Sequence, residues 1–492
     1  MLITDTIQLN ALNHPTKTAI QMGEEKITYQ NLHSTVQNTT NFFFSQSFKG
    51  DQGKVGLFLP NSIAFLQYFF GAIAAGWIAV PLDPKWKANE LQERLIQSDL
   101  DLIITTEKLM NQIDSWNEII ILDSEMGAAQ HVNTKHSIND ESLFYMGFTS
   151  GSTGKPKCFV RSHRSWVRSF ECSEKDFGLS AKDVVLVPGP LVHSLFLYAA
   201  VSTLYLGGTV KLLPKFSSRK TFNEIQSGKL TGVYAVPTML AALANEMTKS
   251  DDRSSSLRKI ISSGAKWEPG LKNKINTLFP KTELIEFYGA SELSFVSYIN
   301  HTKTDFNPLS VGKPFHNVQL SIRDEDGSEV SCGEIGTLYV KSEMLFSHYL
   351  NRPDANREVW AENGWLTVGD LAKRDQDKHL YIIGRKNNML ITGGQNVYPE
   401  EIENVLHSMA GIDEAVVFGK KDAYWGEKVL AAVKLQKGSN LSSQEIQRYC
   451  RQYLSVYKVP RQILFTEEFP YTESGKIART KIKDYYDQGV FN

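Results

Sequence analysis

Short apolar runs alternate with amphipathic segments along most of the chain. The runs KVGLFLP, WIAVPL, DLIIT and EIIILD precede residue 125, and NELQERLIQSDL between them has helical spacing. The runs VVLVPGP, GTVKLLP, GVYAVPTML and LRKIISSGA continue the rhythm. Strand-like runs that alternate with helices are typical of parallel sheets joined by crossovers. The pattern predicts an α/β fold with mainly parallel strands.

The rhythm changes in two places. VQLSIRD followed by GEIGTLYVKS predicts antiparallel strands around a turn, and therefore a small β subdomain. After residue 386 the order becomes strand ITGG, helix PEEIENVLHSM, strands EAVVFGK and LAAVKL, and helix SSQEIQRYCRQYL. This order indicates a compact α+β unit. We predict a large N-terminal domain, residues 1–386, and a small C-terminal domain, residues 387–492.

The stretch from Ala64 to Leu82 is nearly uncharged and almost long enough to cross a bilayer. Ser62 before it is a good helix-start residue, Gly76 inside it is a natural helix stop, and Pro81 favours a strand that leaves for a loop. We predict a buried helix followed by a buried strand, and no integral membrane segment.

Composition narrows the function classes. The 492 residues carry a formal net charge of −1, with 41% apolar and 22% charged residues, which is typical of a globular protein. The chain has no excess of basic residues that would indicate a nucleic-acid partner. The four cysteines form no CxxC pair and there is no histidine cluster at zinc spacing, so no disulfide framework or structural metal is indicated, and a cytoplasmic location is favoured.

The most informative segment is YMGFTSGSTGKPK, residues 145–157. Its small residues let backbone N–H groups approach phosphate oxygens, its hydroxyls add donors and Lys155 adds positive charge. It is not a Walker A loop, because two residues instead of four separate Gly151 from Gly154, and Pro156 follows the lysine. The alternative is a flexible surface loop without a ligand.

TSGSTGKPK resembles the phosphate loop of the adenylate-forming enzymes, which include acyl-CoA synthetases, luciferases and adenylation domains. Further motifs that resemble those of the family follow in its order: YGASE, GWLTVGD, GRKNNMLITGGQNVYPEEIE and ESGKIAR. The likeness covers nearly the whole chain and is greatest to fatty acyl-CoA synthetases. It implies a large N-terminal α/β region joined by a hinge to a small mobile lid, with ATP, Mg²⁺ and coenzyme A as cofactor and co-substrates.

The resemblance assigns the nucleotide site residue by residue. The phosphates of ATP would contact the loop, where Thr149 is a catalytic candidate beside Ser150, Gly151, Thr153 and Lys155. The adenine would lie among Gly264, Ala265, Glu286, Phe287 and Tyr288, with the tyrosine ring as a stacking surface.

Three charged candidates complete this site. Glu292 offers a hard carboxylate oxygen to Mg²⁺ and counts as both metal ligand and catalytic residue. Asp370 and Arg385 would bind the ribose. Outside the motifs, each would be read as an ordinary solvated or surface-paired charge.

Lys476 in ESGKIAR is the strongest catalytic candidate, because a compact ammonium offsets the repulsion between a carboxylate and the α-phosphate of ATP. In the family, similar lysines enter the site during the first half-reaction. A lysine near a chain end is otherwise a solvated charge.

The hinge position of the family is usually Asp or Lys, whereas Asn387 occupies it in this chain. Asparagine tolerates unusual backbone angles, so rotation about it remains physically reasonable. Beyond it, Gly393 and Gly394 would let a strand lie against the pantetheine arm of coenzyme A, or else mark a bulge.

PLVHSLFLYAAVSTLYLGG, residues 190–208, resembles the acyl-pocket helix of the family. His193 is its polar exception, either as a hydrogen-bonded core histidine or as a gating or substrate contact. No Asp lies between Asp183 and Asp251 to pair with a substrate ammonium, so an apolar carboxylic acid, most simply a fatty acid, fits better than an amino acid.

The resulting hypothesis is an ATP-dependent acid–CoA ligase that acts through acyl-AMP. The first alternative is a stand-alone adenylation enzyme that loads an acyl or aryl group onto a carrier protein. The second is a non-catalytic nucleotide-binding relative, which has no chemical need for Lys476, Glu292 and Asp370 together and is favoured only by Asn387.

We predict that Asn387→Pro blocks thioester formation but spares adenylation, because proline fixes the backbone angle about which the lid would turn. The two half-reactions are to be measured separately, as pyrophosphate release and as thioester formation. Equal loss of both steps would refute the hinge assignment.

Overall fold

The computed structural model describes residues 1–113, 116, 119–121, 138–149, 157–247, 256–264, 267, 269–302, 307, 310–392, 395–422, 424–471 and 477–490. Its α-helices, in chain order, are α1 Asp5–Asn13, α2 Tyr29–Phe44, α3 Ile63–Ala74, α4 Ala88–Ser98, α5 Glu107–Met110, α6 His163–Lys175, α7 Ser194–Tyr205, α8 Ser218–Gln226, α9 Pro237–Met247, α10 Pro269–Leu278, α11 Pro353–Val359, α12 Pro399–His407, α13 Ser443–Tyr453 and α14 Arg479–Asp487.

The strands follow in the same order: β1 Thr18–Met22, β2 Glu25–Thr28, β3 Lys54–Phe58, β4 Ile78–Pro81, β5 Leu102–Thr105, β6 Ile119–Ile121, β7 Leu143–Thr149, β8 Lys157–Ser162, β9 Val184–Val187, β10 Thr209–Leu212, β11 Gly232–Ala235, β12 Lys259–Ser262, β13 Glu283–Ala290, β14 Ser294–Asn300, β15 Lys313–Pro314, β16 Gln319–Arg323, β17 Gly336–Lys341, β18 His348–Tyr349, β19 Asp370–Arg374, β20 Leu380–Arg385, β21 Leu390–Thr392, β22 Gln395–Val397, β23 Ile412–Asp422, β24 Gly426–Leu435 and β25 Gln462–Phe465.

Two large mixed sheets form the N-terminal region. One has the order β15-β14-β13-β12-β11-β9-β10-β1-β2, and the other β18-β8-β7-β4-β3-β5-β6. The central pairs are parallel, whereas β13-β14 and β7-β8 are antiparallel. The α/β prediction is confirmed. The sequence rhythm did not show that these two antiparallel hairpins carry the YGASE motif and the ends of the phosphate-loop segment.

Two smaller sheets follow. An antiparallel sheet of order β16-β17-β19-β20 is the small β subdomain expected from VQLSIRD and GEIGTLYVKS. The last sheet, β22-β21-β24-β23 with β25 beside β24, packs against α12 and α13. A short 3₁₀ turn, Lys386–Asn388, connects the two sheets. The boundary that we predict between residues 386 and 387 falls in this turn.

The apolar stretch from Ala64 to Leu82 divides as expected. Helix α3 begins after Ser62, whose hydroxyl accepts the backbone N–H of Phe65 at 3.1 Å. The chain then turns at Gly76, which has φ +81°, and enters β4, whose residues are all buried between β3 and β7. Among the described residues, no helix is both long and apolar enough to cross a membrane.

Candidate active site

The YGASE segment forms the tip of the β13-β14 hairpin. Its strands pair antiparallel from Ile285–Asn300 to Ala290–Ser294, with a register shift after Tyr288. A Cβ atom at Gly289 would lie 1.9 Å from the backbone oxygen of Ser294, so only glycine fits there. This tight turn places Glu292 at the end of the hairpin.

Glu292 is almost fully buried, and its side chain is fixed by hydrogen bonding. The Tyr349 hydroxyl donates to Oε1 of Glu292 at 2.6 Å, and the backbone N–H of Phe346 donates to the Glu292 carbonyl at 2.8 Å. Burial and the Glu292 charge together raise the pKa of Tyr349, so the phenol remains a neutral donor. The Lys157 ammonium lies 5.0 Å from the centre of the Tyr349 ring.

The Arg161 side chain is 2% exposed and contacts the β13-β14 hairpin. Its guanidinium donates hydrogen bonds to the backbone oxygens of Ser291 and Met344 and, at 2.8 Å, to the Ser294 hydroxyl. Burial lowers the pKa of Arg161 to about 10, against the opposing effect of Glu292, so it stays charged at neutral pH. One buried cation therefore fixes both ends of the turn that carries Glu292.

Asp370 and Arg385 meet because β19 and β20 pair them directly across the antiparallel ladder. Arg385 Nε donates to Oδ1 of Asp370 at 2.9 Å, and the Tyr288 hydroxyl donates to Oδ2. Asp370 is 4% exposed. Burial raises the pKa of Tyr288 and the Asp370 charge raises it further. The structure thus joins three of the predicted nucleotide-site residues, which are separated by up to 97 positions.

The two carboxylates belong to one electrostatic environment. The negative charge of Glu292 contributes to the raised pKa values of Tyr288, Tyr349 and Arg385, although burial is the largest effect on each and opposes the rise at Arg385. Asp370 acts on Tyr288 and Arg385 in the same direction. Two carboxylates, two phenols and a guanidinium therefore converge, a set suited to a metal cation and to polar hydroxyl groups.

The side chain of Glu286 makes its hydrogen bonds and ion pair with residues outside this cluster. Oε1 accepts the backbone N–H of Trp267 at 3.1 Å, while Oε2 lies 2.8 Å from His301 Nε2 and 3.1 Å from Lys272 Nζ. Burial would raise the pKa of Glu286, but His301 and Lys272 outweigh it and keep the carboxyl ionised. The Glu286 side chain therefore stabilises α10 and the backbone just before it.

Phe287 likewise packs in the core, with its ring centre 4.6 Å from that of Phe295. Its backbone oxygen accepts the Ser263 hydroxyl at 2.9 Å, beside Gly264, which has φ +99°. The side chain of Glu286 is thus held by hydrogen bonds and that of Phe287 is packed in the core. Any contact of these residues with adenine would come from their backbone.

His193 lies directly before α7 and is half-buried. Burial lowers the pKa of His193, Asp83 opposes this and Lys85 adds to it, so the imidazole is mainly neutral at pH 7. Asp83 is a buried carboxylate from the loop after β4, and it accepts the backbone N–H of Lys85 at 2.9 Å. Sequence reasoning missed this carboxylate because it considered only neighbours of His193 along the chain.

Thr149 is the last residue of β7 and pairs with Lys157, the first of β8, so the ends of the phosphate-loop segment are held together. Asn387 lies in the 3₁₀ turn between the last two sheets. Eight predicted residues lie outside the described part of the chain: Ser150, Gly151, Thr153, Lys155, Ala265, Gly393, Gly394 and Lys476.

Two further residues, Tyr349 and Arg161, were not found from the sequence. Tyr349 lies outside the sequence motifs, so no local pattern marked it as a candidate. Arg161 did have one, because it directly follows the apolar run CFV inside the strand KCFVRS. A buried arginine in such a strand needs several acceptors, and this requirement points to a structural hub.

The chain matches two family models. The model of the AMP-binding enzyme matches residues 7–350, and that of the AMP-binding enzyme C-terminal domain matches residues 401–476.

Similar proteins match along their full lengths. The "uncharacterized acyl-CoA ligase YhfT" of Bacillus subtilis is 43% identical, covering 100% of this chain and 99% of its own. The "putative long chain fatty acid-CoA ligase VraA" of Staphylococcus epidermidis is 32% identical, covering 99% of each. O-succinylbenzoate coenzyme A synthetase (MenE) of Bacillus subtilis, solved in complex with AMP, has a TM-score of 0.88 at 26% identity over 98% of each chain.

We predict that Arg161→Met destabilises the N-terminal region by about 3–5 kcal/mol, because it leaves buried acceptors unpartnered and Glu292 without its buried counter-charge. The urea midpoint of tryptophan fluorescence measures the effect. Arg164→Met is the matched control, since Arg164 pairs with Asp140 at the surface, where such pairs contribute about 0–1 kcal/mol. Equal midpoint shifts for the two variants would contradict the role assigned to Arg161.

Proposed function

The chain belongs to the AMP-binding enzyme family and is an acid–thiol ligase, and from this premise we propose that it joins a fatty acid to coenzyme A through an acyl-AMP intermediate. The observation that carries the proposal is the convergence of Asp370, Arg385 and Tyr288 beside the buried Glu292. This arrangement offers a carboxylate for ribose hydroxyls and a second carboxylate for a metal next to the phosphates.

In the first half-reaction a carboxylate oxygen of the acid attacks the α-phosphorus of ATP, and pyrophosphate leaves. Asp370 would accept hydrogen bonds from the ribose hydroxyls, and these would replace the hydrogen bond that the Tyr288 hydroxyl donates to Asp370. Arg385 has a half-exposed side chain and orients the Asp370 carboxylate while donating toward the same sugar. The nucleotide would thus enter a site whose polar groups are already aligned.

The residues present fit a magnesium ion. Oε1 of the Glu292 carboxylate accepts a hydrogen bond from a described residue, Tyr349. The carboxylate is a hard oxygen donor, and its site is shielded from bulk water. When bound, Mg²⁺ would neutralise charge on the phosphates. The solved MenE structures include one in complex with ATP and a magnesium ion. Tyr349 holds the Glu292 carboxylate in place for that role.

The remaining charge would come from the loop after Thr149 and from Lys476. Ser150, Gly151, Thr153 and Lys155 would contact the β- and γ-phosphates, and their segment is closed at its base by the Thr149–Lys157 pair. The Lys476 ammonium would lie between the attacking carboxylate and the α-phosphate, where negative charge accumulates.

In the second half-reaction the thiol of coenzyme A attacks the acyl carbonyl and AMP leaves. We propose that residues 387–492 act as a lid that turns about Asn387, in the 3₁₀ turn between β20 and β21. Gly393 and Gly394 would then lie along the pantetheine arm. Glycine permits such a close approach because it has no side chain.

The fatty acid is the finer part of the proposal. It is supported by the apolar residues of α7, from Phe196 to Leu204, and by the long-chain fatty acids in the name of VraA. The buried Asp83 weakens the argument against a cationic substrate, because a carboxylate does act on His193. An acid panel must therefore include amino acids.

The test is pyrophosphate release with ATP and Mg²⁺ across straight-chain fatty acids, aryl acids and amino acids, each with and without coenzyme A. We expect sustained turnover with one fatty-acid series that depends on coenzyme A. Release that stops after one equivalent despite coenzyme A would indicate a carrier-protein acceptor instead. No release with any acid would contradict the proposed reaction.

Lys476→Ala should lower the rate of adenylate formation by about 100-fold or more, because it removes the cation that offsets transition-state charge. Thioester formation from premade acyl-AMP should remain nearly unchanged, since that step no longer brings two anions together. Lys481→Ala, an exposed lysine on α14, is the matched control. A similar loss in both half-reactions would remove Lys476 from the proposed role.

A further inference from the structure

A cluster of side chains that could hold a metal ion lies outside the residues assigned to the nucleotide site. Cys172, Asp176 and His316 bring one sulfur, one oxygen and one nitrogen atom within 4.8 Å of one another. The Asp176 carboxylate lies 2.7 Å from His316 Nδ1, and the Cys172 thiol donates to Oδ1 of Asn317 at 3.2 Å. A fourth donor atom is therefore present at the same place.

The fold creates this cluster from two distant segments. Cys172 and Asp176 are four positions apart at the end of α6, so they project from the same face of the helix. His316 and Asn317 follow β15, in the connection to β16. Asn317 also donates to the backbone oxygen of Arg168 at 3.1 Å, which ties this connection to α6.

We propose that Cys172, Asp176 and His316 form a zinc site that fastens the end of α6 to the β15-β16 connection, with Asn317 or a water as the fourth ligand. Thiolate, imidazole and carboxylate are the three side-chain ligands that Zn²⁺ takes, and four-coordination is its usual number. Mg²⁺ and Ca²⁺ select oxygen ligands, and Cu⁺ selects sulfur-rich sets.

Charge and burial agree with a divalent cation. One thiolate and one carboxylate would neutralise Zn²⁺, which matters because Cys172 is fully buried and Asp176 is largely buried. The nearby guanidinium of Arg168 pairs with Glu171 at 2.7 Å and Glu343 at 3.0 Å, so its charge is already balanced. His316 is 32% exposed and provides a route for the ion from solvent.

Zinc binding must release the thiol proton to solvent as the metal–sulfur bond forms. Burial, and then the Asp176 charge, raise the pKa of Cys172. Because the thiol loses a proton when zinc binds, zinc affinity should decrease as the pH is lowered. The competing explanation is a plain Asp176–His316 hydrogen bond beside an inert core cysteine that contacts Met344.

The test uses the full chain, stripped with chelator and kept reduced, in buffer with excess Mg²⁺ to occupy oxygen-only sites. Zn²⁺ is titrated against a chromophoric chelator, and Co²⁺ replaces it for absorption spectra. We expect one tight equivalent and a thiolate-to-cobalt charge-transfer band. Cys172→Ser should abolish the band, and both Cys172→Ser and His316→Gln should weaken Zn²⁺ binding by about 100-fold or more.

Matched controls are Cys332→Ser, an exposed thiol, and His14→Gln, an exposed imidazole, both of which should bind Zn²⁺ like the parent. His316→Gln replaces a partly exposed residue, so it tests the site even where Cys172→Ser impairs folding. Absence of a tight equivalent in the parent chain, or equal affinity in His316→Gln, would overturn the proposal. Neither readout involves the ligase reaction, so the two proposals fail independently.

Discussion

The buried guanidinium of Arg161 is the contact on which the geometry of the candidate site depends. A charge at 2% exposure is tolerated only where acceptors surround it, and in this protein they come from the β13-β14 turn and from the backbone at Met344. The same residue belongs to β8, which begins directly after the phosphate-loop segment. One cation thereby couples the two large sheets where the nucleotide is proposed to bind.

In the second part of the site, neighbouring side chains supply the hydrogen bonds of the buried carboxylates. The Asp370 oxygens are occupied by Arg385 and Tyr288, and Glu292 is occupied by Tyr349. Buried carboxylates without such donors would be costly, so these contacts stabilise the groups and hold them in place. A ligand that brings its own hydroxyls can exchange for the tyrosine donors at little net cost.

The proposed zinc site and the Asp83–His193 neighbourhood share one feature. Each unites residues that lie more than a hundred positions apart. No spacing rule applies to such pairs, since metal motifs are recognised from ligands close together in the chain. The absence of zinc spacing in the sequence therefore excluded only local sites.

Local patterns determined much of this protein. Strand and helix rhythm predicted the α/β class and the small β subdomain, because side-chain periodicity reports which face is buried. The resemblance to the motifs of the family singled out Glu292, Asp370 and Arg385 as candidates, and the tertiary structure brought them together with Tyr288. Only the tertiary structure decided that Glu286 and Phe287 point into packed surroundings, and that Arg161 and Tyr349 support Glu292. Side-chain direction and burial arise from contacts between distant segments, and these are fixed only when the whole chain has folded.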